Sequence, residues 1–185
     1  MLVDLAGLGR PHQMTEGTIY LVKERKPLLS FKLFEIMLDD GLPGLCITRQ
    51  YPEKVRARSR EIGKTQIIWL SQTPGDHHHN PTSIGTLASM IVNFIHAKGE
   101  CAILLDGLEY LYMNNGFPQL LRFIEHVNEK IMSSRAVLII PVCPDAFDPK
   151  EMALIERNME VIESPLIQLG APKPSPDLSA LMDEY

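Results

Sequence analysis

No apolar run in the 185-residue chain approaches the ~20 residues that span a bilayer, and the first residues lack a long apolar stretch behind a basic start. Export and membrane insertion are therefore not expected, and the expected setting is the cytoplasm. Cysteine is scarce: Cys46 and Cys101 lie inside apolar runs, Cys143 sits beside two prolines, and no CxxC pair occurs. A reducing compartment fits that usage, and no disulfide framework is expected. An excess of positive charge is also missing. The formal net charge is -5, which argues against a general nucleic-acid binder, whose footprint is normally basic.

What is present reads as an ordinary globular protein. The hydrophobic share is 45% and the charged share 22%, close enough to soluble averages to exclude wholesale disorder or a fibrous repeat. The length suits one domain able to bury a core, and two would be cramped. The expected organisation is a loosely ordered arm over residues 1–16, one domain over 17–163, and a flexible, proline-rich acidic tail over 164–185.

Within the domain, residues 18–22 (TIYLV) are short, β-branched and aromatic, which predicts a strand. From Pro27 to Leu38 apolar residues fall on nearly every face, the pattern of a buried helix, and Asp39, Asp40 and Gly41 end it. Residues 44–48 predict a second strand. A charged helix then opens at Tyr51-Pro52-Glu53 and closes near Gly63, with Pro52 suited to the first helical position. Residues 66–70 form a third strand and 71–80 a polar loop. Leu87, Met90, Ile91, Phe94 and Ile95 recur at helical spacing. Residues 101–106 and 136–141 give two more strands, flanking a helix from about Pro118 to Met132. Asp148-Pro149-Lys150-Glu151 is a helix start with cap, proline and capping-box acid in place. Five apolar runs alternating with helices predict an α/β, doubly wound fold on a mostly parallel five-stranded sheet.

In such folds ligands bind beyond the carboxyl ends of the strands. The informative segments are therefore residues 23–27, 48–50, 71–72 and 106–110. The opening over residues 17–22, the buried helix, and Gly44-Leu45-Cys46-Ile47-Thr48-Arg49 resemble the RecA-like KaiC family. Thr48-Arg49 with Pro52, Trp69-Leu70-Ser71, the DGLEYL element at 106–111 and Asn115-Gly116-Phe117 resemble the archaeal domain of unknown function catalogued as number 835. That resemblance spans roughly residues 17–161 and implies a RecA-like core in an archaeal signal-transduction setting.

The phosphate-binding loop of the KaiC family is missing. Against G-x-x-x-x-G-K-[ST], the chain offers Glu24 and Leu29 for the glycines, Ser30 for the lysine and Phe31 for the hydroxyl residue. Every group that would cradle phosphate or hold magnesium is absent, and Glu24 would repel a triphosphate. The resemblance thus carries a fold and not an ATPase.

Several residues have both a functional and a structural reading. Asp106 and Glu109 stand where a Walker B carboxylate would lie, or Asp106 caps the turn after its strand. His77, His78 and His79, with Asp76, could ligate a metal, or form a solvated polar loop. Lys54, Arg56, Arg58, Arg60 and Lys64, with Arg49 and Gln50 just ahead, make the one basic cluster, a phosphate or acidic-partner site or else a solvated helix face. Arg49 stands apart because it directly follows a strand. Tyr110, Tyr112, Trp69 and Phe117 could line a pocket or pack the core. Leu178, Leu181 and Met182 fall at i, i+3 and i+4, suited to docking in a groove or to nothing more than an inert end.

The expectation is a non-enzymatic regulatory or scaffolding protein that binds another protein or complex, with self-association open and no cofactor. A nucleotide or phosphometabolite sensor using Arg49, Asp106, Lys23 and Lys26 is the alternative. A metal-dependent hydrolase trails both.

Overall fold

The computed structural model describes residues 2–3 and 12–163. The docking residues Leu178, Leu181 and Met182, and residues 1 and 4–11 of the expected arm, lie outside that range. Leu2–Val3 (β1) pairs antiparallel with His12–Gln13 (β2). The main body then runs Thr18–Lys23 (β3), Leu28–Asp39 (α1), Gly44–Thr48 (β4), Pro52–Arg56 (α2), Arg60–Lys64 (α3), Gln66–Leu70 (β5) and His78–His79 (β6). It continues with Ile84–Lys98 (α4), Ala102–Asp106 (β7), Leu108–Asn115 (α5), Phe117–Met132 (α6), Val137–Val142 (β8), Pro149–Glu156 (α7) and Glu160–Glu163 (β9).

β3 to β9 form one seven-stranded sheet in the order β6-β5-β4-β7-β8-β3-β9, with every neighbouring pair parallel. The strands are apolar on both faces because both are covered. Ile19 and Leu21 of β3 join the cluster under α4, α5, α6 and α7, while Tyr20 and Val22 join the cluster under α1, α2 and α3. The same alternation runs through β4, where Leu45 and Ile47 face one way and Cys46 the other. Burying such side chains contributes on the order of 1.5–3 kcal/mol each, the main favourable term in folding. Met14 is already buried in the second cluster, the Thr15 N–H donates to the Tyr20 hydroxyl (2.7 Å), and Glu16 takes a two-pronged ion pair from Arg135.

Three details depart from the sequence expectation. The sheet has seven strands, not five, because two short edge strands add to the apolar ones. β6 is only two histidines long, paired with Trp69 and Leu70, and β9 buries only Ile162 among exposed Glu160, Val161 and Glu163. The helix expected from 51 to 63 is two, since the chain breaks at Arg58-Ser59 and the Ser59 hydroxyl accepts the Ile62 N–H (3.3 Å) to start α3. α5 is an added helix. Its polar and aromatic residues hide the period, and Gly116 at φ 76 separates it from α6. The Asp148 and Glu151 capping box stands as expected at α7.

Candidate functional site

Since β3 to β9 are parallel, their carboxyl ends share one edge. β4 leaves that edge toward α2 on one face, and its neighbour β7 leaves toward α5 on the other. A crevice opens between strands that diverge in this way. Thr48 and Asp106 are register partners at its floor. Asp106 Oδ2 accepts from the Thr48 hydroxyl (2.7 Å) and the Gln50 amide (3.0 Å). Gln50 Oε1 accepts in turn from Arg58 (2.8 Å), whose guanidinium lies 4.0 Å over the Phe31 ring. Burial pushes the Asp106 carboxyl above the usual carboxylate range, against the opposing pull of these two hydrogen bonds and of the Arg58 and Arg49 charges.

The walls of the crevice are aromatic and basic. Arg49 stacks 3.5 Å over the Tyr110 ring and donates to the Leu70 carbonyl (3.0 Å). Trp69 donates its indole N–H to the Arg49 carbonyl (3.3 Å) and meets Tyr51 edge to face at 5.7 Å. The turn after β7 needs glycine. Gly107 sits at φ 147, and a Cβ there would come within 2.9 Å of Leu70 Cδ1 and 3.0 Å of Arg49 Cγ.

At the end of β3 lies the second notable feature. Glu24 is 4% exposed, and its carboxylate turns onto the start of α1. It accepts the backbone N–H groups of Leu28 (3.0 Å), Leu29 (2.9 Å) and Ser30 (2.9 Å), and the Ser30 hydroxyl as well. Pro27, at the cap position, offers no side-chain acceptor. The first turn of a helix leaves unpaired N–H groups and a partial positive charge, which is why phosphates bind there. Here a carboxylate of the same chain takes those donors.

Of the residues singled out from sequence, Arg49, Asp106 and Tyr110 meet in the crevice. Glu109 is one turn away and points elsewhere. Its carboxylate accepts the Cys143 N–H (2.7 Å) at the end of β8, and burial raises its pKa. Lys23 is drawn to the sheet edge by Glu156 and Glu163, each at 2.9 Å, and these bonds raise its pKa. Lys26 is exposed. His79 is buried with Nε2 3.0 Å from the Ser83 carbonyl, whereas His77, at φ 60, and His78 are exposed. Among the described residues no three His, Cys, Asp or Glu side chains gather as a metal site. Thr48, which ends β4, and Gln50 and Arg58, which the sequence offered only with the strand-end segment and the basic cluster, complete the crevice network. Glu24 was legible as a missing glycine and a repelling charge, not as the group that fills the vacated place.

A family model described as "Protein of unknown function (DUF835)" matches residues 23–159. The chain belongs to this family. The DUF835 match takes in Glu24, α1, both walls of the crevice and α7. Among solved structures, a Pyrococcus horikoshii OT3 protein studied as Project ID PH0250 is similar at a TM-score of 0.58 and 12% identity, covering 81% of this chain and 83% of that one. The KaiC-like protein PH0186 of the same organism is similar at a TM-score of 0.56 and 12% identity, covering 80% and 73%. At that identity the likeness is one of fold. The DUF835 chain therefore has an α/β fold on a parallel sheet, similar to that of these two structures. No curated protein matches it, and among its described residues no helix is long and apolar enough to cross a membrane.

Proposed function

We propose that this DUF835 chain is a non-enzymatic regulatory or scaffolding module: a RecA-like core without a phosphate loop that binds another protein through its strand-end face. One observation carries the reading. The helix start that would hold a nucleotide's phosphates has its three donors taken by Glu24, and a triphosphate placed there would meet a buried negative charge instead of a lysine. Asp106 is likewise engaged by Thr48 and Gln50, and the positions that would supply the Walker lysine and hydroxyl to bind phosphate and magnesium hold Ser30 and Phe31 instead. The face around them is suited to protein contact, because Tyr51 exposes large apolar surface where it meets Trp69, whose indole N–H donates to the Arg49 carbonyl. An archaeal signalling or assembly role in the cytoplasm belongs to the same proposal, supported by the family resemblance and by three unpaired cysteines.

The competing sensor reading is separated by thermal melting with a panel of nucleotides and magnesium at millimolar concentration. Ligand binding to the native state raises the melting temperature by mass action. No shift, and no turnover, is the expected result. A saturable shift lost in Arg49→Ala would favour the sensor, and turnover lost in Asp106→Ala would overturn the non-enzymatic reading.

A further inference from the structure

The strand-end crevice carries two arginines held in fixed poses with no acid to meet them. The geometry points to Arg49 and Arg58 as a preset pair of receptors for carboxylate side chains, so that the partner's docking segment is an acidic peptide. The inference rests on the reading of this face as an interaction surface and adds the chemistry of what it binds.

One device holds both guanidiniums. Arg49 lies 3.5 Å over the Tyr110 ring of α5 and gives an N–H to the Leu70 carbonyl. Arg58 lies 4.0 Å over the Phe31 ring of α1 and gives an N–H to Gln50 Oε1. A ring against one flat side and a single hydrogen bond fix the plane of a guanidinium, yet most of its edge donors stay open to an incoming group. Both arginines are exposed, and among the described residues neither forms an ion pair. The two rings belong to opposite faces of the sheet, so the cations flank the ends of β4 and β7 from either side, joined through Gln50 and Asp106. An arginine on a surface ordinarily loses rotamer freedom when it binds. Here that loss is taken on folding, which favours association.

Carboxylate fits this pair better than phosphate. Phosphate sites draw on backbone N–H groups at helix starts, and those beside the two arginines are already met by acids. Glu24 holds the donors of α1, while Glu53 and Glu109 stand in the first turns of α2 and α5. What remains is two planar forks, each matched to a carboxylate by paired hydrogen bonds. The surrounding charge agrees, since residues 49–60 hold five cations, Arg49, Lys54, Arg56, Arg58 and Arg60, against one acid, Glu53. Such a field speeds encounter with an acidic segment. Tyr51, 55% exposed, offers an apolar residue of that segment a ring to cover.

The test measures fluorescence anisotropy of a fluorescein-labelled peptide, Glu-Glu-Leu-Glu-Glu, with the full chain at low salt. Its matches carry Gln at every Glu, or phosphoserine at the two outer positions. The expected result is saturable binding of the Glu peptide, at least fivefold weaker in Arg49→Lys plus Arg58→Lys, which keeps the charge and loses the forks and the stacking. Each single replacement is measured too, with emission of Trp69, the chain's one tryptophan, to check the fold. Lys54→Gln, which removes a nearby charge outside the pair, should weaken binding less than twofold. Absence of saturable binding overturns the proposal, as does equal weakening in Lys54→Gln and the double variant, which would mean diffuse attraction. Tenfold tighter binding of the phosphoserine peptide also overturns it and assigns the pair to a phosphoprotein. Equal binding of the Gln peptide sinks this inference and spares the interaction reading, whereas nucleotide-induced stabilisation lost in Arg49→Ala sinks the reading itself.

Discussion

Replacing Glu24 by alanine removes one acceptor group and leaves three backbone donors at the start of α1 unpaired. Ordinary loss of a helix cap costs about 1 kcal/mol. Glu24 does more than an ordinary cap, because one charged group takes the N–H of Leu28, Leu29 and Ser30 together with the Ser30 hydroxyl. Hydrogen bonds to charged groups contribute about 1.5–3 kcal/mol each. Water can recover part of that at Leu28, which is 51% exposed, but not at Ser30, which is fully buried. A net loss of about 3 kcal/mol follows, and for a chain of this size that is a fall of roughly 6–12 °C in melting temperature. The vacated place should then take an anion. With 100 mM sulfate and a Kd of ~10 mM, mass action returns about 1.4 kcal/mol, or roughly 3–6 °C. Sulfate also strengthens burial in any protein, so the quantity to read by calorimetry is the extra stabilisation of Glu24→Ala over wild type. A variant that loses less than about 1 kcal/mol, or that responds to sulfate just as wild type does, refutes the account of Glu24 as a resident anion.

Three further outcomes follow from the same geometry. Burial raises the Asp106 pKa above its ordinary value of 3.8, so its contribution to stability is full below that value and is lost as pH rises through the folded-state pKa. Urea unfolding should therefore show the stability of wild type relative to Asp106→Asn increasing as pH falls from 7 toward 4, and a flat or opposite trend refutes it. Cys46 and Cys101 are buried, with burial pushing the first thiol far up and the second to about 11, while Cys143 is partly exposed; a thiol reagent should modify one cysteine per native chain and three after unfolding, and rapid native modification of all three would contradict this. Gly107→Ala must hold φ 147 and push on Leu70 and Arg49, so it should cost about 1–3 kcal/mol and change Trp69 emission through Arg49. An unperturbed variant would show that the turn is not constrained.

The central strands were legible because burial on both faces leaves unbroken apolar runs, as in Cys101 to Leu105, and these fixed the fold class. The edges were not, because an edge strand is covered less and mixes charge with its apolar residues. β9, with Glu160 and Glu163 around Ile162, reads as loop on pattern alone. The crevice was half legible: Arg49 directly follows a strand and Asp106 ends one, so the rule for parallel sheets locates them. Arg58 follows no strand and reaches Gln50 only because the chain breaks between α2 and α3. Glu24 shows the limit most clearly. Sequence comparison marks it as the wrong residue for a phosphate loop, but only the fold shows its carboxylate turned back onto the helix four residues later.

The most direct test of the central claim reads those helix donors themselves. In a nitrogen-15 amide NMR titration of the wild-type chain with magnesium and ATP up to about 5 mM, enough to reveal a millimolar Kd, the amides of Leu28, Leu29 and Ser30 should stay where they are, because Glu24 already holds them. Saturable shifts centred on those three amides, with ATP displacing the carboxylate, would contradict the account and favour the nucleotide-sensor reading.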